Sequence, residues 1–171
     1  MKERKGITTM AGMPLTLVGD EVKVGEKAPD FTVLDNDLGP FRFSSMAGKV
    51  VVISAVPSLD TPVCNLETRR FNEEAGQLPG DVRVVTISMD LPFAQKRWCA
   101  AAGVERVKTY SDHRDADFGI KYGVLTKETR LLARAIFVVD KTGVIRHIEV
   151  LDDITKEPHY DEVLTIAKKL V

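Results

Sequence analysis

The chain has only two cysteines and three histidines, and neither type is clustered. The cysteines stand 35 positions apart, so there is no Cys-x-x-Cys of the dithiol reductase kind. The three histidines are scattered, and no pair of residues has the spacing of a zinc ligand set. No metal or other cofactor is therefore expected. Long runs of one charge are also missing, and the formal net charge is -1. Without a basic or acidic footprint, neither nucleic acid nor an acidic membrane surface is an expected partner. The longest apolar runs, around VVVISAV and LLARAIFVV, fall well short of the ~20 residues that span a bilayer. The opening MKERKGITTMAGMPLTLVGD is broken by Gly, Thr and Pro before a secretory core forms, so a cytoplasmic location is expected. No repeat, low-complexity tract or linker interrupts the 171 residues. Residues 1–171 are accordingly read as a single globular domain, 44% hydrophobic and able to bury one core.

Several segments carry clear periodicity. Residues 13–24 alternate Leu15 and Leu17 with polar neighbours and read as an N-terminal β-hairpin turning near Gly19 and Asp20. FTVLDNDLGPFRFSSMAG reads as a strand, a turn and a short strand. KVVVISAV (49–56) and VRVVTISMD (82–90) are continuous and rich in β-branched residues, as in strands covered on both faces. Between them Val63, Leu66, Arg70 and Phe71 fall at helical spacing and Gly76 closes the run, giving a parallel strand–helix–strand unit. LPFAQKRWCAAAG is a second helix, with Pro92 near its start and Gly103 near its end. AIFVVDKTGVIRHIEV is an antiparallel hairpin across DKTG, and the closing helix aligns Val163, Ile166 and Leu170. Helices on a central mixed sheet of about five core strands, with the N-terminal β-hairpin, make an α/β thioredoxin-like fold.

The stretch VPSLDTPVCNLETRRF concentrates the chemistry. Pro62 disfavours helical geometry at Thr61 and suits a first helical position, so Thr61 is the natural N-cap and Cys64 the third helical residue. Free backbone N–H groups and the helix dipole favour negative charge there, and a lowered thiol pKa is expected. A small apolar patch of Val63, Cys64 and Leu66 is the alternative. Cys99 follows the next parallel strand and is read as early in its helix, so both thiols emerge at one sheet edge, where α/β proteins put their sites. A bridge between them would be worth about 4 kcal/mol of chain entropy. It would also require local unwinding, because the Cα atoms must approach to about 5.5 Å. Arg134 stands alone in the apolar run LLARAIFVV. It is either a surface salt bridge at a strand start or a guanidinium facing the Cys64 thiolate.

PSLDTPVC, with Pro57, Thr61 and Cys64, resembles the Pro-x-x-x-Thr-x-x-Cys motif of the peroxiredoxins. DLPFAQKRWC with Cys99, LLARAIFVVD with Arg134, and DITKEP (153–158) are similar to the thiol peroxidase branch, the atypical two-cysteine enzymes, and the likeness runs from about Pro14 to the C-terminus. The resemblance implies reduction of hydroperoxides to water and alcohols. Cys64 would be the peroxidatic thiolate that becomes a sulfenic acid, and Cys99 the resolving thiol that closes an intramolecular disulfide. Thr61 would hold the thiolate and a peroxide oxygen, Arg134 would stabilise both charges, and Pro57 would shield the sulfur. Thioredoxin is the implied reductant and a homodimer the implied assembly.

Three rivals use the same residues. A Cys–His hydrolase would need His147 or His113 as base and leaves Cys99 without a task. A peroxide-responsive redox sensor would use the same disulfide and differ only in turnover. A metal site lacks its ligand spacing.

Overall fold

A computed structural model describes residues 1–171. Ten strands and four α-helices alternate along the chain. At the centre β5 (Val50–Ala55) and β6 (Val82–Ser88) pair in parallel from Val50↔Val82 to Ala55↔Ile87. All six residues of β5 are buried. Its side chains alternate between two cores, as the period of two demands: Val51, Ile53 and Ala55 join one apolar cluster, Val50 and Val52 the other. This is the doubly covered strand that its β-branched run predicts.

β7 (Lys108–Ser111) continues the parallel set beside β6, while β9 (Ala135–Val139) and β10 (Ile145–Val150) add antiparallel strands beyond β5. The short pair β3 (Thr32–Leu34) and β4 (Pro40–Arg42) extends the far edge. The sheet therefore has seven strands in the order β10-β9-β5-β6-β7-β3-β4, two more than expected, because this short pair joins β7 through Leu34↔Ser111. Helix α1 (Pro62–Ala75) buries Phe71, and α4 (Tyr160–Lys169) buries Val163, Leu164 and Ala167, on one side of the sheet. α2 (Pro92–Ala102) follows β6, and α3 (Asp117–Lys121) buries Phe118 among Phe31, Tyr122 and Phe137 on the other side. No helix is long and apolar enough to cross a membrane.

The N-terminal hairpin lies earlier than residues 13–24. β1 (Glu3–Met10) and β2 (Met13–Val18) pair across Ala11 and Gly12, both with positive φ, the backbone of a tight two-residue hairpin turn. β8 (Leu125–Thr126) adds a third strand to this small sheet. The positive φ of Gly19 serves a different purpose, a close approach to Ile120.

Candidate active site

The loop from Val56 to Asp60 leaves the C-terminal end of β5 and delivers Thr61 as the cap of α1. Thr61 has extended backbone angles, Pro62 is the first helical residue, and the Cys64 N–H donates to Thr61 Oγ1 at 3.4 Å. The expected cap geometry is in place. Cys64 is completely buried with Val56 and Leu59, and Trp98 of α2 packs against this cluster. Pro57 is buried directly ahead of Ser58.

Arg134 is the residue before β9, whose Ala135 pairs with Ala55 at the end of β5, so its side chain starts at the same sheet edge. It is 1% exposed, and each of its three guanidinium nitrogens donates one bond. Nη2 donates to Cys64 Sγ at 3.0 Å, Nη1 to Glu67 Oε2 at 2.6 Å, and Nε to the Ile154 carbonyl at 2.8 Å. Glu67, itself fully buried, accepts a second bond from Ser54 Oγ at 2.6 Å. Of the two readings of Arg134, the buried partner of the sulfur is the one realised, and there is no surface salt bridge. Its ion-pair partner is Glu67, one turn after Cys64. Residues three apart share a helix face, so the spacing of Cys64 and Glu67 in the sequence is the signal that links them.

The thiol departs from the expected low pKa. Burial pushes the Cys64 thiol up, and the Arg134 charge, Thr61 and the Ser58 backbone pull it back without cancelling that effect. A helix start favours the thiolate, but a dry pocket penalises it. Ionisation at this sulfur therefore hangs on Arg134. The Thr61 hydroxyl proton has two claimants, the Ser58 carbonyl at 2.9 Å and the sulfur. Burial likewise pushes the Glu67 carboxyl up, against Arg134 and Ser54.

Cys99 is not early in its helix. It is the eighth of eleven residues in α2, about 10 Å along the axis from Pro92. Its Sγ lies 3.3 Å from Thr109 Oγ1, which donates to Asn36 Oδ1 at 3.1 Å, so the thiol is the donor to Thr109. A cavity of about 500 Å³ opens beside it, lined in part by Asp35, Asp37 and Glu105. Both cysteines are free, and α2 turns Trp98 rather than Cys99 toward the Cys64 pocket.

The other candidate groups lie elsewhere. Neither His113 nor His147 bonds to Cys64, and His147 stands on β10 near Glu149 at 3.9 Å. Glu149, His159 and Glu162 bring potential ligand atoms within 4.8 Å of one another. Glu149 Oε1 already accepts the His159 backbone N–H and approaches its ring, which makes this group a cap for α4.

A buried cysteine at the third position of a helix, bonded to a buried arginine, is the feature to compare with known proteins. The Redoxin family matches residues 23–164. The thiol peroxidase of Oceanobacillus iheyensis is 57% identical over 94% of this chain and 98% of its own length. The chain belongs to the Redoxin family, in its thiol peroxidase branch. The thiol peroxidase of Bacillus subtilis is 55% identical over 95% of this chain and 97% of its own length. Among solved structures, a peroxiredoxin-like protein from Aquifex aeolicus superposes with a TM-score of 0.92 at 42% identity, covering both chains completely. A thiol peroxidase from Chromobacterium violaceum, at 21% identity and a TM-score of 0.86, shares the fold. Thiol peroxidases of this branch reduce peroxides, and the thioredoxin-like architecture expected from the sequence is the one found.

Proposed function

We propose that the protein reduces hydrogen peroxide and organic hydroperoxides through a Cys64 sulfenic acid and an intramolecular Cys64–Cys99 disulfide. The observation that carries this reading is the 3.0 Å contact from the buried Arg134 Nη2 to Cys64 Sγ. In the first step the Cys64 thiolate attacks the terminal peroxide oxygen and the O–O bond breaks. The sulfur is oxidised by two electrons to a sulfenic acid, while the other oxygen leaves as an alkoxide or hydroxide and takes a proton. Negative charge moves from sulfur to the leaving oxygen, and a preorganised guanidinium with the Thr61 hydroxyl stabilises it at both ends. Pro57, buried within the loop from Val56 to Asp60, keeps water from the sulfur.

In the second step the Cys99 thiolate attacks the Cys64 sulfenic sulfur, forming the S–S bond and expelling hydroxide, which leaves as water. Because Cys99 lies deep in α2 and bonds to Thr109, that approach needs α2 to unwind locally. A dithiol protein, thioredoxin, then exchanges with the disulfide and restores both thiols. Family resemblance supports thioredoxin as reductant and a homodimeric assembly. A cytoplasmic setting suits two thiols that must be returned to the reduced state.

The test treats reduced protein with one equivalent of cumene hydroperoxide, quenches within about a second, and maps cysteine states by non-reducing peptide mass spectrometry. The expected product is a Cys64–Cys99 bridge, absent in Cys64→Ser and replaced by a Cys64 sulfenic acid in Cys99→Ser. Thiols that stay reduced in the wild type would return the site to a packing role.

A further inference from the structure

We propose that Asp90 is a positioning residue that clasps the loop before Cys64 to the start of the helix carrying Cys99, and that its release sets how readily the two thiols meet. The inference rests on the peroxidase reading above. Asp90 stands between the end of β6 and Leu91, the cap residue of α2. Its carboxylate reaches across to the other loop: Oδ1 accepts Ser58 Oγ at 2.7 Å and Oδ2 accepts the Leu59 N–H at 2.8 Å. On its own side Oδ2 accepts Ser88 Oγ at 2.7 Å, and the Asp90 carbonyl accepts Ser111 Oγ of β7.

Each grip leads to a cysteine. The Ser58 carbonyl holds both the Thr61 hydroxyl and the Thr61 N–H, and Thr61 Oγ1 receives the Cys64 N–H. Leu59, 2% exposed, shares one apolar cluster with Cys64, against which Trp98 packs. In the other direction Ser88 Oγ receives Gln95 Nε2 at 2.9 Å, and the same amide donates to the Tyr110 carbonyl at 2.8 Å. Gln95 lies on α2, one turn before Cys99, and is 1% exposed. The donors are polarised in one direction, from Gln95 through Ser88 to the Asp90 carboxylate, and that carboxylate gains the Ser58 and Leu59 donors only while the Cys64 loop is seated. Bonds to a carboxylate are the stronger kind, and here three of them converge on one group.

Peroxide attack needs the Cys64 loop seated, whereas disulfide formation needs it loosened together with α2. A weaker clasp should therefore move the two steps in opposite directions. Asp90→Asn replaces an acceptor oxygen by an amide that faces other donors. Its peroxide step should slow about tenfold, equivalent to about 1.4 kcal/mol and the scale of one charged hydrogen bond. Its disulfide step should accelerate by about threefold or more, because less free energy is then needed to open the loop. With excess peroxide, the fraction of Cys64 trapped as sulfinic acid should fall. Ser58→Ala removes one grip from the loop end without altering the turn before α2, and should shift both rates in the same directions to a smaller extent.

Stopped-flow fluorescence of Trp98, the single tryptophan, would follow both steps, with cysteine states confirmed by peptide mass spectrometry. A general loss of structure would slow both steps together, and that outcome, or two unchanged rates in both variants, overturns the role of Asp90. If Asp90→Asn does not fold, Ser58→Ala decides by the same two rates. Failure of the wild type to form the Cys64–Cys99 bridge overturns the peroxidase reading itself and the inference with it. A normal wild-type bridge with unshifted variants overturns only the clasp.

Discussion

Arg134 turns its whole guanidinium inward, and the three partners it finds there do different work. Glu67 makes its burial tolerable, the Ile154 carbonyl fixes its orientation, and Cys64 accepts from the third nitrogen. Removing one member of a buried ion pair leaves an uncompensated charge, which costs about 3–5 kcal/mol, whereas replacing both by apolar groups is often neutral. Arg134→Met should therefore lose about 3–5 kcal/mol in urea unfolding, and adding Glu67→Leu should recover most of it. Neither protein should recover the peroxide reaction, which loses the donor facing the developing charge and falls by about a hundredfold or more in stopped-flow assays. The Cys64 thiol, already pushed up by burial, should titrate higher still in both variants, because the counter-charge that opposes the burial is gone. A double variant that is stable and still fast would remove Arg134 from the chemistry.

At the scale of elements, the β9–β10 hairpin is the frame from which Arg134 projects, and its turn is held by one carboxylate. Asp140 Oδ1 accepts the Thr142 N–H, the Thr142 hydroxyl and the Val144 N–H, while Oδ2 accepts Arg146 Nε at 2.7 Å. Burial would push this carboxyl up, but those four donors outweigh it and bring it from an ordinary 3.8 down to about 2. A depressed carboxylate pKa means that the unfolded chain binds the proton more tightly. The contribution is therefore complete above pH 4 and is lost as pH falls from about 4 to about 2. Asp140→Asn should cost about 1 kcal/mol at neutral pH, the full shift being reduced by solvent screening at this surface turn, and urea titrations should show the difference from wild type closing over that acid range. A constant difference would assign the effect to hydrogen bonding alone. DKTG made this hairpin legible in the sequence, as the β-branched runs did β5 and β6, and as Thr61 and Pro62 did the start of α1. The face of α1 was not legible. Hydrophobic spacing aligned Val63, Leu66, Arg70 and Phe71, yet the buried stripe is Cys64, Glu67, Thr68 and Phe71, with Leu66 58% exposed. A stripe that meets a buried guanidinium carries a carboxylate where a hydrophobic residue is expected, and the partner that makes this stable lies far away in the chain. Strand β1 was hidden for a related reason: ERKGITTM is charged along an edge and carries no apolar alternation. Cys99 was placed at the wrong depth because a proline marks where a helix begins and not how far a later residue travels along it.

For the whole molecule, the small N-terminal sheet reaches the sulfur through a chain of contacts that no single element contains. Thr9 of β1 exchanges backbone bonds with the segment after β10, its N–H donating to the Asp152 carbonyl and its carbonyl accepting the Ile154 N–H. Asp153 caps the hairpin turn through the Gly12 N–H and Thr9 Oγ1. The Ile154 carbonyl then holds Arg134 Nε, so the hairpin braces the strap that orients the guanidinium. Docking of the hairpin depends in turn on two close backbone approaches. At Gly19 the Asp20 N–H donates to the Ile120 carbonyl, and a Cβ would lie 2.0 Å from that same oxygen at a φ of +111°. At Gly123 a Cβ would meet the Asp20 carbonyl at 2.3 Å. Gly12 offers the contrast: its φ is also positive, at +86°, but a Cβ would meet nothing within 4 Å. Gly12→Ala should therefore cost only the conformational penalty, about 1 kcal/mol, while Gly19→Ala adds a backbone collision and should cost about 2 kcal/mol or more. Paired thermal melts check this order, and peroxide assays on the same samples check the longer path: Gly19→Ala should also slow the reaction at temperatures where it remains folded, because a displaced hairpin releases Ile154 and lets Arg134 tilt. Equal melting temperatures for the two variants would mean that the hairpin is held by its own pairing rather than by its seat against Ile120.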